Sequence, residues 1–474
     1  MDKQAFDLCV IGGGSGGLVA AAGAAKLGAK VVLVEKKALG GDCLWTGCVP
    51  SKALLQSAKV AQMQRDAASF GIPPSSSAID LPTVMEHVAD IIRTIEPHDS
   101  PERFRDLGVE VIFGAGRFLD AQRFEVDGRV LRATNFLLAT GARPAIPPIP
   151  GLDQVPYLTH ETLFSLREPV PSLIVIGGGP IGVEMAQAMH RLGSQVDLVN
   201  SQPQILPRED AELAEIVARR LTREGMRLHL GAKAVRVDGE AGDLRLTITV
   251  DGQEKVLRAS HLLVATGRQP SIEGLDLAAA GVALENGHVQ TDGRLRTTAP
   301  HIYACGDVTS PYQFTHVAEH QAAIVLQNAL FHLPVKARSR NIPWCTFCDP
   351  ELARVGLSEK EAKEQQLKHQ VYTLPHRDID RAQTDGETQG MTKIITDEHG
   401  KLLGAAIVGA HAGELIHEFV LALDLGLSAS ELSRPMHIYP TLSQGNRRVA
   451  ELRRNAALTP LRKRWLQRLF GLHG

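Results

Sequence analysis

The sequence predicts an α/β fold built from two parallel-sheet βαβ units, followed by an α+β C-terminal segment. Three observations predict it. A short apolar run followed by G-x-G-x-x-G occurs twice, as FDLCVIGGGSGG (residues 6–17) and PSLIVIGGGPIG (residues 171–182). Each copy closes alike, on NFLLATGARP (residues 135–144) and HLLVATGRQP (residues 261–270). From Asn341 onward the pattern changes to strands (390–396, 402–408) followed by helices (413–425, 442–454). The 474 residues leave room for about three domains. A formal charge of −2 speaks against a nucleic-acid binder, which needs a concentrated basic surface. Six cysteines are too few for a disulfide scaffold, so each is read separately.

The first strand, residues 6–10, begins too close to Met1 for a basic and an apolar leader region to precede it. The uncharged run 8–25 approaches bilayer length. Its glycines break it into strand, turn and helix (residues 20–27), with a second strand at 30–34. The expected location is the cytoplasm. In the second copy the helix covers 183–192 and the second strand 195–199. This is the dinucleotide fingerprint in its required setting. Gly12 and Gly177 permit the tight turn, Gly14 and Gly179 let backbone approach a pyrophosphate, and Gly17 and Gly182 let helix pack on strand. Thr140 and Gly141 end the first unit and Gly267 the second. The first glycine lies 127 positions before the ATG in copy one and 88 in copy two, so copy one carries 39 extra residues. They fall around 40–100, with two cysteines and a long helix.

The residue ending each second strand selects the ribose. Glu35, 23 positions after Gly12, offers a carboxylate to ribose hydroxyls. Asn200, 23 positions after Gly177, lacks the charge that would repel a 2′-phosphate, and the first nearby cation is Arg208. This favours NADPH, with NADH or dual use as the alternative.

The segment GGDCLWTGCVPSK (residues 40–52) holds Cys43 and Cys48. Residues five apart on a straight helix lie about 8–9 Å apart, beyond the roughly 4.4–6.8 Å a disulfide needs. Gly47 and Pro50 therefore predict a distorted helix start that brings the pair together, with Cys48 near a helix N-terminus that favours its thiolate. The spacing is not that of a metal site, and no resident metal is expected.

At this point the sequence resembles the class I pyridine nucleotide–disulfide oxidoreductases: dihydrolipoamide dehydrogenase, glutathione reductase and mercuric reductase. The resemblance covers nearly the whole chain. It implies two Rossmann-like dinucleotide-binding domains, for FAD and for NAD(P), plus an α+β C-terminal dimerisation domain. The FAD domain would be discontinuous, 1–150 plus 270–340, around an NAD(P) domain at 151–269, with the interface domain at 341–474. It implies that NAD(P)H reduces FAD, that Cys48 is the thiol beside the flavin, and that Cys43 is the interchange thiol that meets substrate. Lys52 would sit by the flavin and pair with Glu184. Asp307, in HIYACGDV (residues 301–308), would hold the flavin's ribityl or pyrophosphate region. Family members are homodimers whose site is completed by the partner's C-terminal domain.

The chain leaves the family pattern at HIYPTLSQ (residues 437–444). Tyr439 stands where dithiol-handling members carry a basic His, and Gln444 where they carry the acid that orients it. A phenol with a pKa near 10 is a poor base at neutral pH. His437, two residues earlier, is the substitute candidate for proton transfer. A tyrosine here resembles mercuric reductases, but their C-terminal cysteine pair is missing from the ending FGLHG. The acceptor is therefore read as an unidentified small molecule or metal ion. Lipoamide or another disulfide and a metal ion or quinone are the alternatives, and a non-enzymatic flavin redox sensor is the reading from another class.

Cys345 and Cys348 read as packing residues, or as further thiols close to the redox centre. Cys9 and Cys305 read as packing residues, and Trp45 as packing or shielding the sulfur pair. From Arg453 the tail holds six Lys/Arg and no acid. Thr459 and Pro460 suit a helix start, and Leu461, Trp465, Leu469 and Leu472 share one face beside Arg462, Lys463, Arg464 and Arg468. The tail either docks on its own dimer or makes a peripheral contact with an anionic membrane or acidic partner.

Overall fold

A computed structural model of the chain describes residues 5–75, 78–309, 311–338 and 340–472. The apolar strand Phe6–Ile11 lies between Val31–Glu35 and Arg129–Leu138, parallel to both, with Leu8 opposite Val31 and Asn135. Val109–Phe113 extends the sheet on one side. The strands Arg123–Val126 and Gly116–Asp120 run antiparallel on the other, and Ile302–Ala304 returns from late in the chain to pair with Arg129–Leu138. The register brings the glycine turn and the first ATG to the same carboxyl edge: Ala139 N–H donates to Ile11 at 2.8 Å, and Gly12 N–H to Val34 at 2.8 Å. In open parallel sheets that edge is where ligands bind.

The second unit repeats the arrangement with four parallel strands in the order Arg227–Leu230, Gln195–Asn200, Ser172–Ile176, His261–Val264. An antiparallel three-stranded sheet, Lys233–Glu240, Asp243–Val250 and Gln253–Ala259, is inserted before its last strand. The short strands Ala142–Pro144 and Arg268–Pro270, each just past an ATG, pair with one another. The C-terminal sheet has five antiparallel strands in the order Trp344–Thr346, Glu351–Gly356, Leu402–Gly409, Met391–Asp397, His369–Pro375. Among the described residues, no helix is long and apolar enough to cross a membrane.

Three segments differ from the sequence expectation. The 39 extra residues of the first unit hold not one long helix but two, Cys48–Asp66 and Leu81–Ile95, after the short helix Gly41–Trp45. The helix expected over 413–425 breaks at Ile416 into Ala412–Leu415 and His417–Asp424. The inserted three-stranded sheet has no counterpart in the sequence expectation, although its central strand carries Leu244, Leu246, Ile248 and Val250 in the alternation of a half-buried strand.

Candidate functional site

The two glycine turns have matching geometry. Gly12 (φ +107°) and Gly177 (φ +119°) adopt a backbone that side chains rarely tolerate, and a Cβ on them would meet the carbonyl oxygen of Ala139 at 2.4 Å or of Ala265 at 2.2 Å. A Cβ at Gly17 or Gly182 would strike the carbonyl oxygen of Gly12 or Gly177 at 1.9 Å, so helix and turn touch directly. At Gly14 the nearest atom would be 3.9 Å away, and at Gly179 nothing lies within 4 Å. Each middle glycine therefore faces open space at the start of a helix, Ser15–Lys26 or Pro180–Arg191, whose N-cap glycine supplies no side-chain acceptor. Thr140, in the first ATG, has a buried hydroxyl oxygen with no hydrogen-bond partner. Gly141 (φ +68°) and Gly267 (φ +124°) turn the chain out of the two ATG segments. A bare helix start, a cradle without side chains and an orphaned hydroxyl fit a pyrophosphate-bearing dinucleotide in the first unit.

Glu35 and Asn200 bind the turns rather than standing free before them. One carboxylate oxygen of Glu35 accepts from Gly13 N–H at 2.7 Å and the other from Lys37 N–H at 2.8 Å. Glu35 is only half-buried and keeps lone pairs for ribose hydroxyls. Asn200 is buried. Its Oδ1 accepts from Gly178 N–H at 3.1 Å, and its Nδ2 donates to the carbonyls of Gln204 at 2.7 Å and Gln202 at 3.4 Å. Both amide protons are thus engaged, and Asn200 fastens the turn to the next loop.

Cys43 lies in the helix Gly41–Trp45, and Cys48 is the first residue of Cys48–Asp66. Thr46 and Gly47 break the path between them, so the two thiols sit on two closely spaced helices rather than on one distorted helix. The Cys43 thiol hydrogen-bonds to the Cys48 sulfur. That bond is the largest influence lowering the Cys48 pKa to about 6. Burial opposes it, while Thr315 and the Lys52 ammonium assist. The same bond, together with burial, pushes the Cys43 thiol far up. The hydrogen bond and the Lys52 ammonium therefore favour the thiolate on Cys48 over Cys43. Thr315 Oγ1, at the start of the helix Thr315–Phe331, is 3.4 Å from Cys48 Sγ. Cys48 opens on a groove of about 420 Å³ between the Cys48–Asp66 and Leu81–Ile95 helices, lined also by Lys52, Gln56, His87 and Ile91.

Lys52 Nζ donates to Glu184 Oε2 at 2.8 Å, joining the redox helix to the second unit's Pro180–Arg191 helix. Farther along, Arg65 donates to the Arg191 carbonyl. Phe347 N–H donates to the other Glu184 oxygen at 2.8 Å, and the ring of Phe347 lies under Lys52, 4.5 Å from Nζ to centroid. Burial lowers the Lys52 pKa, but attraction to Glu184 outweighs it and the net shift is upward.

On the other side of the sulfurs, Arg268 bridges Asp42 at 2.7 Å and Asp307 at 3.2 Å. Burial raises the Asp42 carboxyl, but His160, Arg268 and Thr46 together hold it well below the usual range. Asp307 is raised by burial, with Arg268 opposing. Thr315, Asp42, Arg268, His160 and Phe347 have no counterpart in the sequence reading. The acid beside Cys43 was a readable signal, whereas the others come from segments whose proximity only the fold creates.

The segment 437–444 stands apart. Tyr439 is 69% exposed and donates its hydroxyl to Asp380 Oδ2 at 2.9 Å, an acidic neighbour that raises its pKa further above 10. His437 has Nε2 at 2.8 Å from Glu418 Oε1 and Nδ1 at 3.0 Å from the Pro435 carbonyl. Gln444 Nε2 donates to the carbonyls of His437 and Ile438. Among the described residues, no hydrogen bond or ion pair within the chain joins this segment to Cys43 or Cys48. Of the remaining cysteines, Cys9 and Cys305 pack, whereas the half-buried Cys345 lies within electrostatic reach of Lys52. Cys9 and Cys305 are buried with thiols pushed up, Cys305 to about 12. Cys345 and Cys348 donate to the carbonyls of Thr346 and Pro350 at 3.5 and 3.1 Å, and burial raises both. Trp45 donates to the Leu39 carbonyl at 2.7 Å, as a packing residue does.

Residues 6–322 match the family model "Pyridine nucleotide-disulphide oxidoreductase", and residues 342–449 match that family's dimerisation domain. A mercuric reductase of Bacillus cereus is 35% identical over 93% of this chain and 70% of its own length. A dihydrolipoyl dehydrogenase of Chlamydia muridarum is 36% identical over 93% of this chain and 95% of its own. Among solved structures, the Cu(II) complex of the HOCl-induced flavoprotein disulfide reductase RclA from Escherichia coli superposes with a TM-score of 0.85. It is 29% identical, covering 94% of this chain and 99% of that one.

Proposed function

The chain belongs to the pyridine nucleotide–disulphide oxidoreductases, and on that premise we propose that its Cys43–Cys48 pair carries electrons from NADPH to a thiophilic metal ion of the Cu(II) or Hg(II) class. Family membership makes it an FAD- and pyridine-nucleotide-dependent oxidoreductase, and its dimerisation domain supports a homodimer. When bound, FAD takes a hydride from the nicotinamide and supplies the electron pair that keeps the sulfurs reduced.

The observation that carries the choice of acceptor is Tyr439, an exposed phenol tied to Asp380 where a base would stand. A dithiol or disulfide acceptor needs a group that moves protons to and from sulfur. A metal ion needs none, because binding to sulfur itself displaces the thiol proton. The Cys48 thiolate binds first, and the metal then lowers the pKa of Cys43 until its proton leaves. With Cu(II), two ions each take one electron from the pair, the Cys43–Cys48 S–S bond forms and the single proton held by Cys43 departs. The hydride equivalent of NADPH restores the Cys43 thiol and the Cys48 thiolate. The Lys52 ammonium, held by Glu184, stabilises the thiolate throughout. The similarity to the RclA reductase, whose solved structure is a Cu(II) complex, agrees with this reading.

The test is anaerobic NADPH oxidation by the purified holoenzyme with Cu(II), Hg(II), lipoamide and a quinone as acceptors. Metal-dependent oxidation that disappears in Cys43→Ser is expected. Faster turnover of lipoamide, or a metal rate indifferent to Cys43, would overturn the proposal. Tyr439→Phe is expected to change the metal-ion rate by less than about twofold, and a hundredfold loss would place a proton carrier at that hydroxyl.

The NADPH preference rests on the uncharged Asn200 and on Arg208, which is exposed on the loop after it. A cation there pairs with a 2′-phosphate that NADH lacks. Arg208→Ala is expected to raise KM for NADPH about five- to tenfold and to leave KM for NADH unchanged. Equal effects on both nucleotides would remove Arg208 from phosphate recognition.

A further inference from the structure

The most exposed apolar side chains of an ordered helix lie at the end of the chain, past the last residue matched by the dimerisation domain at 449. The helix Pro460–Phe470 starts as the sequence predicts: Thr459 accepts from Arg462 N–H at 3.3 Å and Pro460 takes the first position. None of its residues is buried. Leu461 is 76% exposed and Trp465 63%, and Leu469 and Leu472 are more than half exposed. At about 100° per residue Leu461, Trp465 and Leu469 fall within an arc of about 80°, flanked by Arg464 and Arg468 on one side and Arg462 on the other, while Leu472 lies past the helix end at the left-handed Gly471. Glu451 is the last acid of the chain, so every charged side chain beyond it is basic.

We propose that this helix is a peripheral membrane anchor that lies in the surface plane of a bilayer carrying anionic lipid. A narrow Leu/Trp stripe can enter the acyl boundary while cations on both flanks meet headgroup charge, and long Arg stems allow the guanidinium to stay at headgroup level. Charge complementarity selects this occupant over a second copy of the same helix. Two such helices packed stripe to stripe would bring Arg462, Arg464 and Arg468 of each against those of the other, with no carboxylate in either segment to offset them. The anchor would hold the redox domains beside the membrane without entering their chemistry, so it stands or falls independently of the acceptor.

The test uses the full-length holoenzyme and sedimentation with vesicles of phosphatidylcholine alone or with about 30% phosphatidylglycerol. Binding to the anionic vesicles is expected to exceed binding to the neutral ones at least tenfold, an order of magnitude that a few surface cations account for, and to be lost at high salt. Emission from Trp465 is expected to shift to the blue on binding. Trp465→Ser/Leu469→Ser and Arg464→Glu/Arg468→Glu should each abolish binding while NADPH oxidation in solution stays at the parent rate. Equal binding to neutral vesicles, or none to either, overturns the proposal. So does dissociation of the homodimer, measured by light scattering, when the chain is ended after Ala456, because that result assigns the helix to the partner subunit.

Discussion

Cys43→Ser is expected to lower metal-ion turnover by about a thousandfold or more while leaving the protein yellow and reducible by NADPH. A serine hydroxyl is not ionised at neutral pH, binds a soft metal poorly and cannot form a bond to the Cys48 sulfur. Its O–H can still donate to that sulfur, as the Cys43 thiol does. The Cys48 thiolate should therefore survive, and the loss should fall on electron transfer rather than on the fold. Cys43 is only partly buried, which keeps the cost of the smaller atom low. Anaerobic titration gives a second readout. The parent is expected to take up two electron pairs per subunit, one on flavin and one on the sulfur pair, and the variant one pair. A variant that still stores both pairs, or keeps turnover within tenfold of the parent, would show that these sulfurs are not the relay.

The parts of the molecule that could be read from sequence are those where steric necessity leaves few residue choices. Gly12 and Gly17 each stand where a Cβ would overlap a carbonyl oxygen, and the same is true of Gly177 and Gly182. Those demands are local and therefore visible as a spaced motif. The Lys52–Glu184 pair is 132 positions apart, and only the family resemblance connected it. Phe347, which shares Glu184 with Lys52, and Thr315, which touches Cys48, come from still farther along the chain and carry no local signal. Asn200 shows a different limit. Its position in the motif was legible, but its engagement by Gly178, Gln202 and Gln204 depends on how the next loop folds back. The sequence reading assigned the low Cys48 pKa to a helix start. The fold adds the larger contribution, a thiol from the preceding helix that donates to it.

Lys52→Met and Glu184→Gln are expected to move the reactivity of Cys48 in opposite directions. The side chain of Glu184 is 7% exposed and that of Lys52 39%. Removing Lys52 leaves a buried carboxylate with the Phe347 N–H as its remaining partner. Breaking a buried pair from one side costs about 3–5 kcal/mol, and the partial exposure of Lys52 reduces this to about 2–3 kcal/mol. A fall in Tm of about 2–3 °C is expected for a chain of this size. The same change removes a cation that lowers the Cys48 pKa. The thiolate is then less favoured, and the midpoint for alkylation of Cys48 is expected to move up. Glu184→Gln keeps the Lys52 charge and an oxygen able to accept from Phe347, so its stability loss is smaller. It also removes the carboxylate that partly neutralises Lys52, so the field at Cys48 becomes more positive and the midpoint moves down. Iodoacetamide alkylation of the reduced protein across pH, followed by mass spectrometry at Cys48, separates the two variants. Were both to raise the midpoint equally, the pair would act on Cys48 by holding the redox helix in place rather than through charge.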